Sequence, residues 1–162
     1  MKNILFKIYI SITLLICKCI DGIITSIDKR RYFEKIQNND NYITTESGLK
    51  YIDIDYVENT IYIPDGYTVN FKYEGWLDND EHCFTKGNIK ARLDSGVLIK
   101  GINEALHTMK IGKKRGILIN PGNGYGVTGF PRRGKNAGSI VPPNTSVHYI
   151  IELIDFNFNP FI

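Results

Sequence analysis

The chain has 162 residues, enough for one ordinary domain, with 20 basic against 17 acidic side chains and a formal charge of +3 at pH 7. Lys2, Lys7 and Lys18 account for that excess, so the chain beyond residue 20 is balanced at 17 of each sign and nothing in its charge points to nucleic acid. Of the 3 cysteines, Cys17 and Cys19 lie in the N-terminal apolar stretch, which leaves Cys83 alone and excludes an intramolecular disulfide or a cysteine metal cluster in the remainder.

Residues 1–22 read as a secretory signal peptide. Lys2 supplies the basic start, Ile8 to Cys17 is an almost unbroken apolar run, and small or turn-forming residues follow at Cys19 and Gly22. The run is shorter than the roughly 20 apolar residues of a membrane span, and an uncleaved signal anchor is the alternative reading. The expected location is the secretory pathway, either the lumen of the endoplasmic reticulum or outside the cell. Residues 23–47 form a polar linker or arm with a helical turn near residues 31–36. Asp28, Glu34 and Asp40 argue against an organelle transit segment.

The domain is expected over residues 48–157. Residues 49–57 alternate, with Ile52, Ile54 and Tyr56 on one face and Asp53 and Asp55 on the other. Pro64-Asp65-Gly66 is a turn, and Val69, Phe71 and Tyr73 mark a second strand. After a polar turn at residues 77–81, a returning segment starts near Phe84, and residues 89–93 form a short strand. Ile99, Ile102, Leu106 and Met109 make one stripe at helical spacing, which predicts a helix over residues 100–109, ended by Gly112. Residues 115–120 and 146–154 are strands, the second with Val147, Tyr149, Ile151 and Leu153 facing one way. Many strands and one short helix predict an α+β fold, an antiparallel sheet curled around that helix. Residues 158–162 are a tail, and the last six residues are no endoplasmic-reticulum retention signal.

Two segments of the last third concentrate the chemistry. Gly124-Tyr125-Gly126-Val127-Thr128-Gly129 holds one phenol among glycines that permit tight turns. Ile140-Val141-Pro142-Pro143-Asn144 follows, its proline pair fixing the backbone. Together they form one wall of an apolar pocket with a phenol at its rim. The glycine spacing also matches a dinucleotide-binding loop, but Phe130-Pro131-Arg132-Arg133-Gly134 cannot open the helix that such a loop requires. His82, His107 and His148 have no partners at metal-ligand spacing, and Cys83 beside His82 is no dyad. Asn144-Thr145-Ser146 is a glycosylation sequon, relevant if the chain is secreted.

Over residues 48–157 the chain resembles the FKBP-type peptidyl-prolyl isomerases. The resemblance rests on Tyr73-Glu74-Gly75, on Leu98-Ile99-Lys100-Gly101 and on the two segments above, in family order and with nearly family spacing. It implies an antiparallel β-sheet half-wrapped around one short α-helix, with the pocket between them. Carried over by position, Tyr73, Phe84, Ile99, Tyr125 and Tyr149 would be the catalytic set. Thr85, Ile89, Leu98 and Ile102 would line the pocket, and Phe130, Ile140 and Val141 would form an overhanging loop. The Tyr125 hydroxyl and the Ile99 backbone N–H would donate to the carbonyls flanking proline. The partners implied are proline-containing polypeptides and macrolide ligands, bound by a monomer that needs no cofactor and no metal.

Three departures from the family pattern stand out. Phe84-Thr85 replaces a Phe-Asp pair, so the carboxylate that accepts from the phenol at Tyr73 is missing, with Thr85 as a neutral substitute. Ile102 stands where a tryptophan floor is common. The segment from Pro131 to Ser139 is long and, through Arg132, Arg133 and Lys135, basic. The departures imply reduced activity, and a binding module or chaperone with little or no catalysis is the alternative.

Overall fold

The alternating segments form antiparallel strands. The computed structural model describes residues 29–30, 32, 42–54, 62–78, 83–131 and 139–157. The chain divides into two compact units, Met1–Asp40 and Asn41–Ile162. In the first, residues 29, 30 and 32 are helical. The signal, most of the turn expected at residues 31–36, His82, the basic residues after Pro131 and the C-terminal tail lie outside the described residues. No helix among the described residues is long and apolar enough to cross a membrane.

The second unit runs β1 (Ile43–Thr44), β2 (Lys50–Asp53), β3 (Thr68–Leu77), β4 (Cys83–Arg92), α1 (Lys100–His107), β5 (Lys114–Ile119), a 3₁₀ turn at Pro121–Asn123, β6 (Phe130–Pro131), β7 (Ser139–Val141) and β8 (Val147–Asn157). Six strands make one sheet in the order β1-β2-β5-β8-β3-β4, and β6 pairs with β7 as a separate ladder. Every pairing is antiparallel. Val147, Tyr149, Ile151 and Leu153 of β8 join Val69 and Phe71 of β3 and Ile117 and Ile119 of β5 in one core, against Ile102, Ala105 and Leu106 of α1. The apolar stripe of the helix is therefore what the concave sheet face buries.

Three elements differ from expectation. β1 lies within the stretch read as a polar arm: Ile43 and Thr44 pair with Tyr51 and Lys50, so the sheet begins before residue 48. β4 is one continuous strand rather than two pieces, because its polar middle, Lys86-Gly87-Asn88, sits at the open edge of the sheet where exposure is tolerated. The helix ends at His107, two residues early. Arg115 provides the physical reason. Its Nη1 donates to Thr108 Oγ1 at 2.5 Å and to the Ala105 carbonyl at 3.1 Å, the acceptor that a further turn would have given to Met109 N–H, which bonds the Leu106 carbonyl instead.

Arg115 is buried, and its Nε donates to Asp53 Oδ1 at 2.7 Å, while its guanidinium stacks 4.0 Å from the Tyr51 ring centroid. Lys113 Nζ reaches Asp53 Oδ2 at 2.5 Å. Burial raises the pKa of Asp53, but the hydrogen bonds and charges of Arg115 and Lys113 outweigh it and hold the carboxyl below its ordinary value. This network fastens the end of α1 to β2 and β5.

Candidate functional site

Tyr149 stands on β8 directly opposite Gly75 of β3, which in turn faces Thr85 of β4. With no side chain at Gly75, the Tyr149 ring lies flat across β3. A Cβ there would meet Tyr149 Cε1 at 2.6 Å and Thr85 Cγ2 at 3.0 Å. Between β3 and β4 the register jumps from Gly75↔Thr85 to Trp76↔Cys83, so Phe84 is the extra residue of a β-bulge. The bulge re-aims the Phe84 ring toward the same place. Phe84 meets Tyr149 edge-on at 5.9 Å and Tyr125 at 6.4 Å, and Tyr73 tilts against Tyr149 at 6.4 Å.

Tyr125 arrives from the loop after the 3₁₀ turn. That loop is tied by its own backbone: Gly126 N–H donates to the Pro121 carbonyl at 2.8 Å, Gly129 N–H to the Tyr125 carbonyl at 3.0 Å, and Asn144 N–H to the Gly126 carbonyl at 2.9 Å. The Asn120 side chain caps the 3₁₀ turn by accepting from Asn123 N–H at 3.0 Å. Gly129 has a φ of +69° and presses against the Val141 carbonyl and the Pro142-Pro143 backbone, a position that admits no side chain. The two sequence segments are thus one unit, joined at Gly126 and Gly129.

The hydroxyls of Tyr125 and Tyr149 are 2.7 Å apart. Burial holds both phenols above the ordinary tyrosine value. Desolvation is the largest cause for each, and either hydroxyl can donate in the bond between them. Phe130, 46% exposed, tilts over Tyr125 at 5.3 Å between centroids. Val127 beside them is 77% exposed.

Ile99 is the N-cap residue of α1, and its carbonyl accepts from Ile102 N–H and Asn103 N–H, both at 3.1 Å. Among the described residues its own N–H has no backbone acceptor. Leu98, Ile99 and Ile89 are partly buried against the core, and Ile102 is within it.

Two expectations are corrected. The phenol at Tyr73 is not bonded to Thr85. The register sets Tyr73 opposite Gly87, two residues further along β4, and its hydroxyl lies 3.1 Å from where a Gly87 Cβ would stand. Thr85 turns its methyl toward the Tyr149 side, and its carbonyl accepts from Cys83 Sγ at 3.0 Å. Val141 does not overhang. It is fully buried in the core and pairs with Phe130, while Ile140 is partly buried against the core.

Sequence spacing also missed the partners of two histidines. His148 Nε2 bonds Asp78 Oδ1 at 2.7 Å. His107 lies between Asp94 (Nε2 to Oδ1, 3.0 Å) and Asp65 (Nδ1 to Oδ1, 3.5 Å). Asp65, Asp94 and His107 come within 4.8 Å of one another, the spacing of a metal site. Both carboxylates are exposed, and exposed acidic groups commonly cluster in this way without an ion. Hydrogen bonds from Asn103 and His107 hold Asp94 below its ordinary pKa.

A family model described as FKBP-type peptidyl-prolyl cis-trans isomerase matches residues 60–154. The chain is 31% identical over 96 residues to FK506-binding protein 1 of Gibberella zeae, covering 54% of this chain and 80% of that one. It is 36% identical over 94 residues to Peptidyl-prolyl cis-trans isomerase FKBP53 of Arabidopsis thaliana, covering 56% of this chain but 18% of that much longer protein. Over 94 residues it is 33% identical to a horse (Equus caballus) relative named Inactive peptidyl-prolyl cis-trans isomerase FKBP6, covering 55% and 28%. The crystal structure of AtFKBP13 superposes with a TM-score of 0.62 at 23% identity, over 72% of this chain and 99% of that one, which speaks to the fold alone. A half-wrapped antiparallel sheet, one short helix and a sequence match over more than half its length place this chain in the family of FKBP-type peptidyl-prolyl cis-trans isomerases.

Proposed function

We propose that the chain catalyses cis–trans isomerisation of X–Pro bonds at the cluster of Tyr73, Phe84, Tyr125 and Tyr149. The observation that carries this reading is the convergence of four aromatic rings from three strands and one loop around the hydrogen-bonded Tyr125–Tyr149 hydroxyl pair.

The X–Pro bond rotates slowly because amide resonance sets a barrier of about 20 kcal/mol. The twisted amide has lost resonance and carries a smaller carbonyl dipole. An apolar aromatic seat stabilises that state relative to the planar one, and donors at Tyr125 and Ile99 hold the flanking carbonyls. This is differential binding of the transition state. The residues named need no nucleophile and no shifted acid. The test is exchange of a Leu-Pro peptide in the presence of the folded protein. Acceleration is expected, with Leu or Phe before proline preferred over Glu. No acceleration above the uncatalysed rate in a sample shown to be folded would overturn the reading.

One observation favours a second reading, a proline-binding module or chaperone with little catalysis. Thr85 brings no carboxylate, and among the described residues the Tyr73 hydroxyl has no hydrogen-bond partner, so the polar edge of the cluster is weakened. Binding of proline peptides without rate enhancement is its expected signature, and macrolide binding would fit either reading. We further propose that the protein acts as a monomer and is routed to the secretory pathway by Lys2 and the apolar run from Ile8 to Cys17. Protection from added protease in a microsomal fraction checks the routing, and light scattering checks the monomer.

A further inference from the structure

We propose that Tyr149 is a positioning residue: its buried hydroxyl donates to the Tyr125 oxygen and so turns the Tyr125 proton outward, toward the carbonyl of a bound proline peptide. The proposal deepens the isomerase reading and rests on it.

Tyr149 is 1% exposed. Its ring cannot swing freely, because Gly75 lies under it, Phe84 stands against it at 5.9 Å and Tyr73 at 6.4 Å. A buried hydroxyl needs an acceptor. The one it has among the described residues is Tyr125 Oη at 2.7 Å. Each phenol has a single proton, so only one of the pair donates to the other. Tyr125 is only partly buried, beside exposed Val127 and Phe130, and has a ligand or water as an alternative acceptor. Tyr149 has no such choice. If Tyr125 donated instead, the Tyr149 proton would be left in the interior without an acceptor. The satisfied arrangement therefore runs from Tyr149 to Tyr125 and then outward. Accepting this bond also polarises the Tyr125 hydroxyl and makes it the stronger donor. A phenylalanine at 149 would keep the ring contacts and remove both effects.

The test is a double-mutant cycle in the full chain, with Tyr149→Phe, Tyr125→Phe and the pair. Each is titrated by NMR with a blocked Leu-Pro peptide, and folding is checked by thermal melting. Each single variant is expected to bind roughly two- to tenfold more weakly, the range of one neutral hydrogen bond. The double variant is expected to bind no more weakly than Tyr125→Phe alone. Undiminished binding by Tyr149→Phe beside weakened binding by Tyr125→Phe would overturn the positioning role and leave the site reading standing. Undiminished binding by both would overturn the site reading itself. An equal loss from Tyr149→Phe with and without the Tyr125 hydroxyl would assign Tyr149 to packing alone. A second measurement needs no variant: the unaltered protein should show a slowly exchanging hydroxyl proton belonging to Tyr149, close to the Tyr125 ring. Assignment of that proton to Tyr125 would reverse the direction of the bond and refute the proposal.

Discussion

Replacing Gly75 by alanine should disturb the candidate site without removing any of its functional groups. The new Cβ would lie 2.6 Å from Tyr149 Cε1, 2.9 Å from Cζ and 3.0 Å from Thr85 Cγ2. Carbon atoms in contact prefer about 3.5–4.0 Å, so the overlap with the ring is roughly 1 Å. The ring is buried between Phe84 and Tyr73 and can yield only by tilting away from β3. Overpacking of this kind costs about 1–3 kcal/mol. A shift of the phenol by 1 Å or so also stretches the 2.7 Å bond to Tyr125, adding about 0.5–1.5 kcal/mol. Against this, replacing a strand glycine returns about 0.5–1 kcal/mol of backbone entropy. The net loss is about 0.5–4 kcal/mol, at roughly 3–6 °C of Tm per kcal/mol for a domain of this size. Thermal melting measures it, with Gly87→Ala as the comparison. There the added Cβ meets the hydroxyl end of a partly exposed tyrosine at 3.1 Å, which can move aside, and the loss should stay below about 1 kcal/mol. Equal melting of Gly75→Ala and the unaltered protein, with the Tyr149 resonances unmoved, would refute the argument that the missing side chain seats this ring.

Asp53→Asn should cost about 1–3 kcal/mol near neutral pH, because Arg115 is left buried against a neutral partner. The carboxyl of Asp53 is held below its ordinary value of 3.8, so its contribution is present above that pH and is lost as the pH falls through its folded value; acid titration of the variant should be flatter in that window. Position 85 is diagonal to Tyr73, two residues from its partner Gly87 and within a tyrosine's reach, so Thr85→Asp should offer the Tyr73 phenol a charged acceptor, a bond worth about 1.5–3 kcal/mol, and raise isomerase activity on a Leu-Pro peptide; a fall would mean that the methyl of Thr85 is needed against Tyr149. A chain beginning at Asn41 should melt cooperatively. One beginning at Leu49 should melt several degrees lower by circular dichroism, having lost β1 and the bonds of Ser47 to Glu104 at 2.6 Å and to Asn123 at 2.9 Å.

The fold was legible where periodicity was strong and both ends of an element were marked. Alternation of Val147, Tyr149, Ile151 and Leu153 gave β8 its buried face, and Ile102 and Leu106 gave the helix its inner stripe. Edges were not legible. β1 is two residues in a polar stretch, and the middle of β4 has no apolar signal, since an edge strand gains most of its stability from its ladder. Ile99 read as part of the helical stripe but caps the helix instead. In the candidate site the residue types were readable and their relations were not. Tyr125 and Tyr149 are 24 residues apart, and their bond depends on the seat at Gly75. The aim of Phe84 depends on a bulge that no local pattern announces. Tyr73 faces Gly87 rather than Thr85 because register, not spacing along the chain, decides neighbours across a sheet. The Asp53–Arg115 and Asp94–His107 pairs join separate elements and required the fold to be known.

The bulge at Phe84 has a second effect, at the border of the sheet. β4 is ten residues long and hydrogen-bonded on one side only within its sheet, the kind of border on which an extended polypeptide can template itself. Exposed Lys86, Lys90 and Arg92 set cations along that border, so two copies approaching edge to edge would oppose like charges. The extra residue at Phe84 then breaks the regular hydrogen-bond spacing at one end of the strand. The distortion that turns a ring toward the aromatic cluster also makes the border a poor place for another strand to grow.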